Sequence, residues 1–584
     1  MYDGILLNVK RPGQYLGREW NVSAKDFESA QVKFAVSFPD LYEIGMSNLG
    51  LRIIYGLLNS LPAVSCERFF SVDADLEALL RAQGSWLLSL ESRRRLEEFD
   101  FAGFSLGSEL NYTNVLNILD LSGIPLKSSE RGNKYPLVIG GGPSAMNPEQ
   151  MHEFFDLFII GEAEEAILEV IDLYRRHKDA YRGGGIKKEE LLLSLSGIEG
   201  VYVPSLYEVE YDSQGNLKEF KPKFRGVPDR IRKRVVGNLN SSYYPQDWVV
   251  PNVQVVHDRV TLEIMRGCPN RCRFCQARSQ YFPLRLRDPS KAIMLAQEMY
   301  RLSGYEEVAL SGLSVSDYPF IEGLLQGLCA SFTPKGVGLS LPSLKAKTLI
   351  GGVSQLIAKF KKTSLTFAPE AGSERLRQLL AKDFDSAQFF SALNQAYAAG
   401  YQHVKLYFMI GLPQETEEDL KAIVDFSTEA SRMKKEAVGS SAQVNISINN
   451  LIPKPHTALQ WLPMLSMEEA ERKQAFINES ARKNRRLKVN FHNFKMSFLE
   501  GILSRGDRRL SGVILSSFKR GAKFDAWSNY FNLQLWLDSF RECGLDPEFY
   551  LRPKPVEIPL PWDFIDTGIS KAALLEEFNK TIAI

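Results

Sequence analysis

The chain is 584 residues long, with Lys+Arg at 71 against Asp+Glu at 70 and 44% hydrophobic residues. That length requires more than one core, and the balanced charge removes a global electrostatic case for a nucleic-acid or membrane-surface protein, leaving only local basic surfaces. The N-terminus lacks a basic stretch followed by a long apolar run, and no uncharged apolar run spans a bilayer, so the expectation is a cytoplasmic protein with no membrane segment. Of six cysteines, Cys66, Cys329 and Cys543 stand alone and read as small packing residues of a reducing compartment.

In the N-terminal third, strands are expected at Val32–Phe38, Phe99–Ser105, Tyr135–Ile139 and Phe155–Ile160, with helical periodicity after Met46 and from Tyr112 to Leu121. Short apolar strands alternating with helices predict a doubly wound, Rossmann-like parallel sheet, whose ligand belongs at the strands' carboxyl ends. There Gly140, Gly141 and Gly142 either let backbone approach a flat or phosphate-bearing ligand or simply make a tight turn. The triplet is not G-x-G-x-x-G and no Walker lysine follows, so NAD and ATP are poorly supported. Gly161 reads as a turn, with Glu162 and Glu165 as ordinary first-turn acids. Val201 to Asn216 suggests a hairpin, Arg230 to Arg234 a solvated basic face, and Asn238 to Pro251 a domain boundary.

The middle is organised around Cys268, Cys272 and Cys275, spaced C-x3-C-x2-C after the strand Val260–Met265. Three thiolates can hold three corners of a cubane [4Fe–4S] cluster and leave one iron open. A structural zinc would need four closed ligands, and His257 is a poor fourth. Further strands are expected at Glu307–Ser311, Val337–Leu341, Thr363–Phe367, His403–Met409 and Val444–Ile448, separated by helical patterns. Six parallel strands predict a partial (β/α)6 barrel of TIM type, with its active site on the carboxyl-end loops. The C-terminal part reads as helical. Arg482 to Arg486 with Lys488 is the densest basic stretch, and Phe531, Leu535, Trp536 and Phe540 are helically spaced core residues. Arg505, Asp507 and Arg508 either close the active-site mouth or form a buried network tying this part to the barrel. His456 reads as a hydrogen-bonded loop residue, and Lys405 as pointing into the barrel. The expected layout is an α/β domain over 1–240, a barrel over 250–490 and a helical extension over 491–584.

The cysteine spacing, with Ala368-Pro-Glu-Ala-Gly-Ser373, Gly411-Leu-Pro-Gln-Glu-Thr416 and Pro453-Lys-Pro-His-Thr457, resembles the radical S-adenosylmethionine (SAM) superfamily, close to its methylthiotransferase and cobalamin-binding branches. Phe38 to Ser47, Gly140-Gly-Gly-Pro143 and Leu560 to Ile565 resemble one subgroup, in which a cobalamin-binding-like sheet is fused to the barrel. The resemblance implies an open iron that chelates SAM, reductive cleavage to methionine and a 5′-deoxyadenosyl radical, and methylation or another modification at an unreactive carbon. It implies that Ser311 and Gly312 contact the methionine amino group, although Leu313 stands where an acidic residue is frequent. It implies that Phe274 packs on adenine, that Glu370 contacts the ribose or methionine part, and that Arg375 pairs with the carboxylate. For Glu370 and Arg375 an ordinary helix-start region with a surface ion pair explains the residues equally well. Cobalamin would have to bind without a histidine below it, since no D-x-H-x-x-G stretch is present. A flavodoxin or ferredoxin would supply the electron. RNA is an open substrate class, although the small β-rich module that ends many methylthiotransferases has no visible counterpart. Two other readings stand beside this one: a non-catalytic iron–sulfur carrier or RNA-associated scaffold, kept alive by the Ser311-Gly-Leu-Ser loop, and a zinc-stabilised binding protein.

Overall fold

The computed structural model describes residues 2–340, 365–398 and 400–582. Its first sheet joins β1 (Val32–Phe38), β2 (Val64–Phe70), β3 (Phe101–Ser105), β4 (Leu137–Gly141), β5 (Leu157–Ile159) and β6 (Val201–Tyr202) in the order β2-β1-β3-β4-β5-β6. All neighbours pair in parallel except β6, which runs antiparallel to β5. β2 is buried at every position and β1 at all but one, the pattern of a sheet covered on both faces. Val201–Tyr202 therefore completes this sheet instead of forming a hairpin arm. The hairpin itself is β7 (Tyr207–Tyr211) with β8 (Leu217–Pro222).

A short strand, β9 (Ile231–Arg232), precedes the second unit, which begins with β10 (Val260–Glu263). The expected boundary between them is packed, not free. Trp248 and Tyr244 are buried, and the Tyr244 hydroxyl donates to the Thr261 carbonyl at 2.7 Å and accepts from Glu263 N–H at 3.0 Å. β11 (Met265–Arg266) and β12 (Arg285–Leu286) form a small antiparallel pair, followed by β13 (Glu307–Ser311) and β14 (Gly338–Ser340). β10, β13 and β14 make one parallel block. β15 (Leu365–Glu370), β16 (His403–Ile410), β17 (Gln443–Asn450) and β18 (Leu487–Phe491) make another.

The described residues thus place seven parallel strands, in blocks of three and four, where the sequence suggests a six-stranded partial barrel. The seventh, β18, begins at the end of the stretch read only as basic and shares Lys488 with it. Leu341, Thr363 and Ser364, included in the expected third and fourth strands, lie outside the described residues. β16 and β17 alternate buried and half-buried positions, because helices cover one face and the barrel interior lies at the other. β19 (Ile565–Asp566) returns to pair in parallel with β9.

The C-terminal helices share a core with the first sheet: Phe498, Leu499, Val513, Trp536 and Phe540 belong to the same apolar cluster as Val32 and Phe101. Among the described residues no helix is long and apolar enough to cross a membrane.

Candidate active site

The β11–β12 pair closes the base of the cysteine loop. Gly267 opens that loop at φ +91°, and a Cβ there would lie 2.8 Å from the Leu284 Cα and the Pro283 and Tyr281 carbonyl oxygens. Only glycine fits so close an approach. Cys268, Cys272 and Cys275 are all free and half-buried. Burial pushes the Cys272 thiol up to about 11 and raises Cys275 too, with the three sulfurs acting on one another. Unbound thiolates are therefore disfavoured at Cys272 and Cys275, and a cationic ligand would reverse that. Among the described residues no three His, Cys, Asp or Glu side chains draw together as ligands for one ion.

Neighbouring loops hold this one in place. Asn270 Nδ2 donates to Cys268 Sγ at 3.3 Å and to Asp317 Oδ2 at 2.9 Å, and the Ser314 hydroxyl donates to the same carboxylate. The loop after β13 is thereby tied to the cysteine loop. Arg273 donates to the Leu379 carbonyl at 2.6 Å and to Glu577 at 2.9 Å, on the helix Lys571–Ile582. Lys233, expected on a solvated face, is instead buried. Its Nζ donates to the carbonyls of Ser279, Gln280 and Phe282, and burial lowers its pKa to about 8.

A cavity of about 450 Å³ lies where the carboxyl ends of the first sheet meet the barrel. Gly140, Gly141 and Gly142 line it from one side, and Gly267, Ser311 and Gly312 from the other. Packing accounts for two of the glycine triplet, since a Cβ on Gly140 would meet the Phe158 ring at 2.4 Å and one on Gly142 the Leu106 backbone at 3.0 Å. Gly141 has no such crowding; its nearest contact would be the Ile159 carbonyl at 3.6 Å.

Glu162, Glu164, Glu263 and Arg266 also line the cavity. Arg266 lies 3.1 Å from Glu162, 2.8 Å from Glu164 and 2.9 Å from Glu263, and Arg285 lies 2.7 Å from Glu162. Burial opposes the ionisation of Glu162, but Arg285 and Arg266 outweigh it and hold its carboxyl below the usual range. Glu162 is thus no ordinary first-turn acid but a buried counter-ion to the residue that precedes the cysteine loop. Glu165 does pair at the surface, with Arg234.

Glu370, at the end of β15, has φ +70°, a conformation that non-glycine residues adopt only when surroundings force it. Its carboxylate accepts from Lys382 Nζ at 3.1 Å. Burial raises its pKa while Lys382 opposes that, and both residues act electrostatically on Cys272. Phe274 packs against the apolar cluster of Ala371, Leu376, Leu380 and Met409. Arg375 donates to the Gln414 carbonyl at 2.9 Å and to Asp419 at 2.5 Å, so its fork is already engaged at the start of the next helix. His456 is buried, with Nε2 2.8 Å from the Met146 carbonyl; burial lowers its pKa to about 4. Arg505 is fully buried and donates to the carbonyls of Pro453, Gln460, Tyr550 and Arg552. Arg508 donates to Glu149 at 2.6 Å and to the Tyr202 hydroxyl at 2.9 Å. These arginines bind the helical region to the barrel and the first sheet.

The model for radical SAM proteins, N-terminal, matches residues 50–204, and that for the radical SAM superfamily matches residues 262–427. The chain belongs to the radical SAM superfamily of enzymes, whose cofactors are a [4Fe–4S] cluster and SAM. Within it, the chain is 30% identical over 514 residues to the uncharacterized protein MJ0966 of Methanocaldococcus jannaschii, covering 88% of this chain and 97% of that protein. It is 28% identical over 206 residues to the ribosomal protein uS12 methylthiotransferase RimO of Pelotomaculum thermopropionicum, covering 33% of this chain and 44% of that one. Among solved structures, the radical SAM methyltransferase TsrM of Kitasatospora setae, with cobalamin and a [4Fe–4S] cluster bound, aligns at a TM-score of 0.49 and 10% identity over 88% of this chain and 99% of that one.

Proposed function

We propose that Cys268, Cys272 and Cys275 hold the cluster, that SAM lies between them and the Ser311–Glu370 side of the mouth, and that the cavity against the first sheet receives the group to be modified or a second cofactor. The bound cluster and SAM supply a carbon-centred oxidant when an external one-electron donor, such as a flavodoxin or ferredoxin, reduces the cluster. The chain's own residues do the rest. Three thiols at C-x3-C-x2-C spacing, with no fourth ligand in the motif, suit the corners of a multi-iron cluster better than one zinc. Glu370, held by Lys382 close to Cys272, offers a fixed acceptor for a SAM hydroxyl or ammonium group. Phe274 keeps the inner wall of the loop apolar. Arg375, engaged by Asp419, acts by holding its loop and not as a direct SAM ligand.

The observation that carries this reading is the shared cavity. One space of about 450 Å³ is bounded both by Gly267, the residue before Cys268, and by the sheet-end glycines, within the range of about 300–1,000 Å³ typical of small-molecule sites. Cobalamin, if bound, would lie against Gly141 and the apolar lining and would supply a methyl carrier; no histidine is among the residues lining that cavity. Anaerobic purification with cobalamin available, followed by metal analysis and an absorption spectrum, tests it. Iron and sulfide should accompany the protein, each cysteine-to-alanine variant should lose them, and a corrinoid band should be retained. Zinc without iron would contradict the cluster; iron without corrinoid would give the cavity to substrate alone.

A further inference from the structure

Among the described residues, the second block leaves its concave face without partners. Val404, Leu406 and Phe408 on β16, and Val444, Ile446 and Ile448 on β17, are buried in the helix-packed core, so the intervening residues face the interior. Parallel register sets those residues in rows. His403 lies beside Gln443; Lys405 beside Asn445, and Asn445 beside Lys488; Tyr407 beside Ser447, and Ser447 beside Asn490. Arg486, two residues before Lys488, adds a further cation, its carbonyl accepting from Val444 N–H at 3.0 Å.

Three features mark this face as a binding surface. First, it is accessible: His403, Gln443, Arg486, Lys488 and Asn490 are exposed, and Lys405, Asn445 and Ser447 half-buried. β18 pairs only with β17 among the described strands, so the face opens sideways at that edge. Second, its polar groups are unspent. Apart from Lys405 Nζ, 4.6 Å from the Tyr407 ring centroid, none of these side chains has a hydrogen-bond or ion-pair partner among the described residues. On the β7–β8 hairpin, by contrast, Lys218 and Lys221 pair with Glu210 and Glu219. Third, β16, β17 and β18 place no carboxylate on this face, and the block's one acid, Glu370 at the end of β15, is already paired with Lys382.

Cations without acids select an anion. The amides add discrimination, because Gln443, Asn445 and Asn490 can each donate and accept hydrogen bonds as base edges do, while Tyr407 offers a ring face. An acidic peptide would use the cations and leave the amides idle. Four strands spaced about 4.8 Å apart span roughly 14 Å, and six residues along β17 roughly 20 Å, room for a few nucleotides of an extended strand. We propose that this face binds a single-stranded polynucleotide, its phosphates along Lys405, Arg486 and Lys488, feeding one nucleotide toward the mouth. The proposal rests on the radical SAM reading for the chemistry that follows, but not for binding.

Fluorescence anisotropy with the reconstituted full chain and short labelled oligonucleotides, RNA in one arm and DNA in the other, tests it. At least one sugar type should bind saturably, with a log–log salt slope near −2 from three cations at about 0.7 each. Arg486→Glu with Lys488→Glu should weaken binding at least about tenfold, and the matching Gln pair should flatten the slope by about 1.4. Both positions are exposed; equal melting midpoints exclude misfolding. Lys421→Glu, an exposed change on the outer helix Glu417–Val438, should leave binding unchanged. No saturable binding, unchanged binding by the Glu pair, or equally tight binding of polyglutamate overturns the proposal. SAM cleavage measured in parallel separates the two ideas: cleavage without oligonucleotide binding sinks this one alone, and binding without cleavage sinks the radical reading alone.

Discussion

Replacing Arg266 by methionine tests what holds the cysteine loop against the first sheet. Arg266, Glu164 and Glu263 are at most 11% exposed at their side chains, so the variant leaves two buried carboxylates without their cation. Glu162 keeps Arg285 at 2.7 Å. Breaking a buried pair from one side costs about 3–5 kcal/mol, whereas replacing both sides by apolar groups is often neutral. At about 2–4 °C per kcal/mol for a unit of 150–250 residues, the barrel transition should fall by about 6–20 °C. Scanning calorimetry on the metal-free protein reads this directly, and iron bound after reconstitution should fall with it. Adding Glu164→Met and Glu263→Met should restore most of the loss. A single variant melting within about 2 °C of the wild type, or a triple variant no better than the single, would refute the account of this network.

Other outcomes follow from the same geometry. Gly267→Ala forces a Cβ to within 2.8 Å of three backbone atoms at φ +91°; beyond strain of about 1–3 kcal/mol, iron loading should be lost while circular dichroism stays native. Lys233→Met frees the carbonyls of Ser279, Gln280 and Phe282, so amide hydrogen exchange should rise around 276–284, and unchanged exchange would count against this anchor. Asp525 accepts from the Thr113 hydroxyl and Trp536 Nε1, and burial raises its pKa from 3.8 to about 6. Because the folded value is the higher one, its stabilising share is full below 3.8 and is lost as pH rises through about 6. Asp525→Asn should therefore flatten stability across that window and raise the unfolding free energy at neutral pH, by at most an amount on the order of 3 kcal/mol.

The features legible in the sequence are those with local signals. The cysteine spacing, the strand-to-glycine joints and the alternation of strands with helices each declare themselves within a few residues. β18 was hidden because Leu487-Lys-Val-Asn-Phe491 has the alternation of a strand but continues a run of Arg and Lys. Glu162, Glu164 and Lys233 escaped for another reason. Their partners lie 46 or more residues away in sequence, so no window contains both members, and a charged residue read alone looks solvated. Asn270 sat inside the motif, where its role depends on a loop 47 residues further on. The glycine triplet was the intermediate case: its position was readable, but only the Phe158 ring and the Leu106 backbone explain why two of its members lack side chains.

The central claim is that this chain's three-cysteine loop turns SAM into a radical source. The most direct test is 5′-deoxyadenosine formation by anaerobically reconstituted protein with SAM and dithionite, followed by chromatography. The wild type should give 5′-deoxyadenosine and methionine in equal amounts, and Cys272→Ala neither. A wild-type chain with a full iron complement and no 5′-deoxyadenosine would contradict it.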